Sequence, residues 1–250
     1  MKKHIPNLIT LLNLFCGSIA VIFAVEDNLF MAAVFVMLGI VFDFFDGFAA
    51  RILDVKSELG LQLDSLADMV TSGVVPGIVM YKMFQISEGL FSLPSLTNSY
   101  SNSSFRMEQD GIMYLPYFGL LVILASCYRL AKFNIDTRQT DSFIGLPTPA
   151  NTLFILSLPL VLMTNDAQWV NELILNKWFL IGLTLFSCYM LNAEIPLFSL
   201  KMKTYGFKEN TVKYIFLILA IVMLVLLQFV AIPLIIILYV LLSVFMNLKK

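Results

Sequence analysis

Charge is scarce in this 250-residue chain: Lys, Arg, Asp and Glu make up 13% of it, where a soluble domain carries about 25%. Hydrophobic residues rise to 59%, with a mean hydropathy of +0.87. That much apolar surface requires a second apolar solvent, the lipid bilayer. The net charge of −1 leaves no basic excess to meet a polyanion, so no nucleic-acid partner is expected. Cysteine is equally sparse. Cys16, Cys127 and Cys188 lie in separate apolar segments without CxxC pairing, and read as small hydrophobes rather than as a redox or metal set. The opening MKKHIPNLIT is basic, but its apolar run has no small-residue cleavage site after it; it reads as a retained first span. No internal repeat and no soluble stretch divides the chain, so residues 1–250 read as one membrane-embedded domain.

What is present is a series of apolar segments. A spanning helix needs about 20 mostly apolar residues. Eight candidates occur, at about 7–25, 29–51, 60–83, 112–133, 148–164, 178–194, 212–228 and 231–247, the last two (within the less distinctive C-terminal region, 178–247) forming a tight hairpin near Gln228 and Pro233. The expected fold is therefore an all-α integral membrane protein of about eight transmembrane helices in one bundle. With the N-terminus inside, thirteen Lys and Arg residues fall at cytoplasmic ends, and only Lys82, Arg106 and Lys177 fall outside. This asymmetry predicts both termini in the cytoplasm. The polar 86–110 loop is expected outside; its Asn102-Ser103-Ser104 sequon is weak evidence of glycosylation.

Carboxylates inside apolar helices are costly, and each needs a reason. Asp43 and Asp46 are three apart near the end of the second span, and Asp64 and Asp68 are four apart at the start of the third. Either spacing puts a pair on one helical face. A short polar link returns the third helix antiparallel to the second, so all four carboxylates can meet at the cytoplasmic membrane edge. Packed together they repel, and some must take up protons unless cations neutralise them. Arg51 and Lys56 are too few to balance them. Oxygen ligands suit Mg²⁺, Mn²⁺ or Ca²⁺, and four suffice for two metals with bridging carboxylates. Such a site favours phosphoryl transfer. Gly47 and Ala50 leave little bulk beside the first pair, where a diphosphate can approach the backbone, and Arg51 adds a positive charge. No covalent enzyme intermediate is required, and none is suggested by a candidate Ser, Cys or His near the aspartates. A cation transporter, whose intramembrane acids line an ion path, is the rival of another class.

The pattern Asp43-x-x-Asp46-Gly47-x-x-Ala50-Arg51, eight residues, then Gly60-x-x-x-Asp64-x-x-x-Asp68 resembles without a gap the signature of the CDP-alcohol phosphatidyltransferase family. The resemblance implies a helical membrane enzyme, usually dimeric, whose site opens to the cytoplasm. It implies that Asp43, Asp46, Asp64 and Asp68 hold the metals, that Asp68 also acts as general base, and that Gly47, Ala50, Arg51 and Gly60 border the CDP group. Mg²⁺ or Mn²⁺, two per site, is the expected cofactor. The expected setting is the inner membrane of a bacterium or archaeon, among membrane lipid, as a homodimer.

Three further stretches bear on the acceptor alcohol: Pro6-Asn7-Leu8-Ile9-Thr10-Leu11-Leu12-Asn13 with Cys16-Gly17, Tyr128-Arg129-Leu130-Ala131-Lys132-Phe133-Asn134, and Phe143-Ile144-Gly145-Leu146-Pro147-Thr148-Pro149-Ala150. Together they resemble the phosphatidylserine synthase branch, which often has Arg at the position of Lys132. The branch implies CDP-diacylglycerol and L-serine as substrates. Arg129, Lys132 and Asn134 offer two cations and an amide to an amino-acid carboxylate; equally, basic residues anchor cytoplasmic helix ends. Asn7, Thr10 and Asn13 form a polar stripe on the first helix, open to two readings: contacts to the nucleotide, or hydrogen bonds between helices. Glycerol 3-phosphate and inositol remain rival acceptors.

Overall fold

The computed structural model describes residues 4–55, 57–90, 114–136, 143–198 and 210–248. The first span is α1 (Ile5–Val25), with Pro6 in its first turn, where the missing N–H costs nothing. Asp27 takes a left-handed φ of 66° and turns the chain into α2 (Leu29–Ile52), which Asn28 caps by accepting a hydrogen bond from Met31 N at 3.1 Å. A link containing Asp54, also left-handed at φ 51°, reverses direction again. Ser57 then caps α3 (Glu58–Asp68) by accepting from Gly60 N at 3.0 Å.

The helical path continues as a wide π turn (Met69–Val74) into α4 (Val75–Ser87). Pro76 accounts for this irregularity. It cannot donate to the carbonyl of Ser72 four residues back, and its ring crowds that turn. The Ser72 carbonyl finds another donor, the Thr152 hydroxyl at 2.9 Å. Gly73 and Gly77 allow the close approach their small size predicts: a methyl on Gly77 would overlap Ile123, and one on Gly73 would press on Met69 and Ser126.

A 3₁₀ turn (Leu115–Leu120) leads into α5 (Leu121–Ile135). Next come β1 (Phe143–Ile144), α6 (Thr148–Thr164), α7 (Gln168–Ile174), α8 (Lys177–Asn192) and β2 (Pro196–Leu197). β1 and β2 form an antiparallel two-residue ladder, Phe143 opposite Leu197 and Ile144 opposite Pro196; all other regular structure among the described residues is helical. The chain ends in α9 (Thr211–Leu227), a 3₁₀ turn (Gln228–Val230) and α10 (Ala231–Leu248). α6 buries most of its residues in the core cluster that also holds Val36, Val79, Met83, Phe84 and Leu180. Apolar residues on the outer faces of α9 and α10 remain exposed, as a lipid solvent permits.

This is an all-α membrane protein. Five segments among the described residues are long and apolar enough to cross a bilayer, or six if α7 and α8, bent by 60°, count as one. The eight expected spans differ from this for two reasons. α6 has only 17 residues, and Thr211–Met246 runs as one 36-residue apolar segment. That segment nonetheless folds back: Gln228 takes φ 49°, and the rings of Phe216 and Tyr239 lie 5.9 Å apart.

Contacts sort the chain turns into two ends. At one, Gly60 abuts Asn7, Ser65 pairs with Asn134, and Arg129 reaches Ile144 and Leu191. At the other, Lys82 Nζ meets Asp27 Oδ1 at 2.5 Å and Val25 O at 3.0 Å, and Ser87 donates to Leu175 O at 2.6 Å. Most of the expected outer loop, 91–113, and the sequon at Asn102 lie outside the described residues, as do Lys56 and Arg138.

Candidate active site

Helical spacing brings the acidic residues to one place. α2 carries Asp43 and Asp46 on its last three turns, α3 carries Asp64 midway and Asp68 as its final residue, and the tight link between the helices lets the two pairs approach one another. Carboxylate oxygens of Asp43, Asp64 and Asp68 all lie within 4.8 Å of one another, each half-buried. Asp46 stands beside this trio rather than in it. It is buried, neighbours Thr10 and Asp64, and its Oδ2 has no hydrogen-bond partner. The two ion pairs among the described residues, Lys82–Asp27 and Lys132–Glu194, both leave these four acids out. Arg51 is exposed and turns back along its own helix, Nε donating to Gly47 O at 2.9 Å. Salt bridging therefore does not account for the cluster. An unpartnered buried carboxylate oxygen and three converging ones form an all-oxygen donor set that fits a divalent cation.

A cleft of about 450 Å³ opens next to the cluster. α1 supplies Pro6, Asn7 and Thr10; α2 supplies Asp46, Gly47 and Ala50; the link and α3 supply Val55, Ser57, Glu58, Gly60, Leu61 and Asp64. Of the residues expected around a nucleotide diphosphate, Asn7, Thr10, Gly47, Ala50 and Gly60 all line it, and Arg51 does not. A methyl built on Gly47 meets nothing within 4 Å, so the protein's own packing does not require glycine there. What the glycine leaves free is the cleft itself. At Gly60 the reason is internal: a methyl would stand 3.1 Å from Ser57 Oγ and 3.2 Å from Asn7 Oδ1.

The polar stripe on α1 divides between its two readings. Thr10 lines the cleft while its hydroxyl donates to Pro6 O at 3.1 Å. Asn13 faces the helices instead. Its Nδ2 donates to Asp68 Oδ1 at 3.2 Å, and its Oδ1 accepts from Thr71 Oγ1 at 2.8 Å. Thr71 was not among the expected residues. Its sequence signal is its position three after Asp68 and seven after Asp64, on their helical face.

The residues expected to meet the acceptor are each engaged within the protein. Arg129 is buried, and its Nη1 donates to the carbonyls of Ile144 and Leu191, both at 2.8 Å. Lys132 Nζ bonds Glu194 Oε1 at 3.1 Å. Asn134 Nδ2 donates to Ser65 Oγ at 2.9 Å, next to Asp64 in sequence. The space between Arg129 and Lys132 is about 10 Å³, the lower limit for one water. Glu194 and Ser65 had no signal in the sequence.

Comparison with known proteins agrees with this geometry. The family model described as CDP-alcohol phosphatidyltransferase matches residues 3–189. A protein of Bacillus subtilis strain 168 named CDP-diacylglycerol–serine O-phosphatidyltransferase is 36% identical over 147 residues, 59% of this chain and 70% of its own. One of the same name from Helicobacter pylori strain J99 is 29% identical over 153 residues, 60% of this chain and 55% of its own. An archaetidylserine synthase of Methanothermobacter thermautotrophicus is 26% identical over 156 residues, 61% of this chain and 56% of its own. The chain thus spans 70% of the first relative and little more than half of the other two. With a family model covering most of its length and the aspartate trio set beside an open cleft, the chain belongs to the CDP-alcohol phosphatidyltransferase family.

Proposed function

We propose that this protein transfers the phosphatidyl group of CDP-diacylglycerol to L-serine, giving phosphatidylserine and CMP. The observation that carries the reading is the trio Asp43, Asp64 and Asp68 against a cleft lined by Gly47, Ala50 and Gly60. Serine is the acceptor common to the names of the three relatives. Family membership sets the cation-transporter alternative aside.

Asp43, Asp46, Asp64 and Asp68 would hold divalent metal, Mg²⁺ or Mn²⁺ and two ions in our reading. Bound metal supplies a counter-charge for the diphosphate and for the leaving CMP. The chain's own residues do the rest. Asn7, Thr10, Gly47 and Ala50 receive the cytidine diphosphate in the cleft. Asp68 accepts the proton of the serine hydroxyl. The serine oxygen forms a bond to the phosphorus that carries diacylglycerol, and the bond from that phosphorus to the CMP oxygen breaks. Arg129, Lys132 and Asn134 are the serine-binding group, Lys132 exchanging Glu194 for the substrate carboxylate.

The same reading makes residues 1–250 one membrane domain. The two-ended sorting of contacts and the fold-back at Gln228 support eight crossings, with α6, α9 and α10 each counted as one. The basic asymmetry of the sequence supports both termini in the cytoplasm and the site at that membrane edge. The bilayer is the inner membrane of a bacterium or archaeon, and the working unit is a homodimer, as the family resemblance implies. The test is release of CMP from CDP-diacylglycerol by purified protein with serine, glycerol 3-phosphate or inositol. Serine-dependent release is expected; release with another alcohol and none with serine would reassign the acceptor.

A further inference from the structure

The amide of Asn13 lies fully buried midway along an apolar helix, where a primary amide without partners is expensive. Its two ends are both engaged. Nδ2 donates to Asp68 Oδ1 at 3.2 Å, and Oδ1 accepts from Thr71 Oγ1 at 2.8 Å. The Thr71 hydroxyl also lies 3.3 Å from the Asn13 main-chain carbonyl, so both neighbours of its proton are acceptors. Reversing the amide would turn its carbonyl toward a carboxylate oxygen, a repulsive pairing. The order Thr71 to Asn13 to Asp68 is therefore the one that satisfies every member.

The backbone is cut away to let this chain of bonds form. A methyl on Gly17 would come within 2.3 Å of Thr71 Oγ1. One on Gly39 would come within 2.8 Å of Thr71 Cγ2 and 2.9 Å of Asn13 Oδ1. Two glycines, on α1 and α2, thus press the fully buried Thr71 side chain onto Asn13. Thr71 sits in the π turn, so the irregular stretch that follows Asp68 carries the residue that holds Asp68's partner. Such turns are frequent at functional sites. A plain interhelical contact would not need to end on a carboxylate of the acidic trio.

We propose that Asn13 is a positioning residue that fixes the Asp68 carboxylate for metal and acceptor, and that the Thr71 hydroxyl fixes Asn13. The proposal rests on the transfer reading above and adds to it two residues acting in series. Groups that orient metal-binding side chains typically change metal affinity or activity by about 10–100-fold when removed. Thr71→Val keeps the branched shape against Gly39 and loses only the hydroxyl; Thr71→Ser keeps the hydroxyl.

Four variants in detergent decide it: Asn13→Leu, the double Asn13→Leu/Thr71→Val, Thr71→Val and Thr71→Ser. Each is measured for Mn²⁺ affinity without substrate, for Tm, and for kcat and both KM values at saturating metal. Asn13→Leu should lose about 10–100-fold in Mn²⁺ affinity or kcat, Thr71→Val should move the same quantity by about 10-fold, and Thr71→Ser should stay within about twofold of wild type. The double variant should be no worse than Asn13→Leu alone, because members of a series do not add. Thr71→Val with a lowered Tm but Mn²⁺ affinity and kcat within about twofold of wild type would overturn the proposal and leave only helix packing. Should Asn13→Leu not fold, the two Thr71 variants decide alone. Absence of serine-dependent CMP release in the wild type would sink the transfer reading, while the Mn²⁺ affinities would still judge the positioning.

Discussion

The rings of Phe216 and Tyr239 lie 5.9 Å apart although they belong to successive helices joined at Gln228. A continuous helix would separate them by about 34 Å at 1.5 Å per residue. The C-terminal apolar segment therefore doubles back, with Phe198 against both rings. With the native cysteines replaced, a cysteine at Gln228 should be modified by an impermeant reagent from outside the cell, and one at Val212 only after the membrane is opened. Labelling of both from the same side would remove the last two crossings.

Gly47 and Gly60 make a paired test of the cleft. Alanine at Gly47 enters open space, and in a helix it gains about 0.5–1 kcal/mol over glycine. Gly47→Ala should leave Tm unchanged or raised and should raise the KM for the nucleotide lipid. Gly60→Ala meets Ser57 and Asn7 and should lower Tm. A Gly47→Ala enzyme with an unaltered lipid KM would move the diphosphate elsewhere.

Activity should vanish in excess chelator and return with Mg²⁺ or Mn²⁺. The reason is four acids that neither observed ion pair reaches, with Asp46 Oδ2 lacking any partner. Full turnover in protein shown to be metal-free would refute a metal role.

Asp46 and Asp68 should fail differently. Asp46 lines the cleft, so Asp46→Asn should weaken binding of CDP-diacylglycerol along with turnover. Asp68→Asn keeps the shape but cannot accept a proton, and should cut the single-turnover rate by about 10²–10⁴-fold while retaining more lipid binding. Equal loss of binding in both would make Asp68 a ligand first.

Arg129 and Lys132 share the proposed serine-binding group but weigh differently on the fold. Arg129→Ala removes the donor from one buried carbonyl, that of Leu191, at about 1–3 kcal/mol, and from one part-buried carbonyl, that of Ile144, so Tm should fall. The Lys132–Glu194 pair is partly solvated, its Glu194 side exposed, and worth about 0–1 kcal/mol, so Lys132→Ala should change Tm little yet raise the serine KM. An unchanged serine KM in Lys132→Ala would leave that residue an anchor.

The acidic cluster was legible because spacings of three and four fix a helical face whatever the neighbours do. Depth was not: the spacing of Asp43 and Asp46 puts both on one side of α2, but the rotation of that helix decides which carboxylate joins Asp64 and Asp68. Nor could the sequence reveal that Arg129 would reach carbonyls 15 and 62 residues away. Backbone acceptors carry no residue identity, so a side chain that serves them looks like any other cation at a helix end.

Every residue lining the cleft, every member of the acidic cluster and the Asn13–Thr71 relay come from residues 6–71. Three consecutive helices and their turns therefore suffice to assemble them. Contacts this local form without a long loop closure, and during synthesis the N-terminal part folds first. The half of the site that handles metal and nucleotide can then take shape while the helices that carry Arg129 and Tyr239 are still being made. Order of synthesis would separate the two substrates: a nucleotide pocket built early, and an acceptor side finished only when Leu191 and Ile144 arrive to grip Arg129.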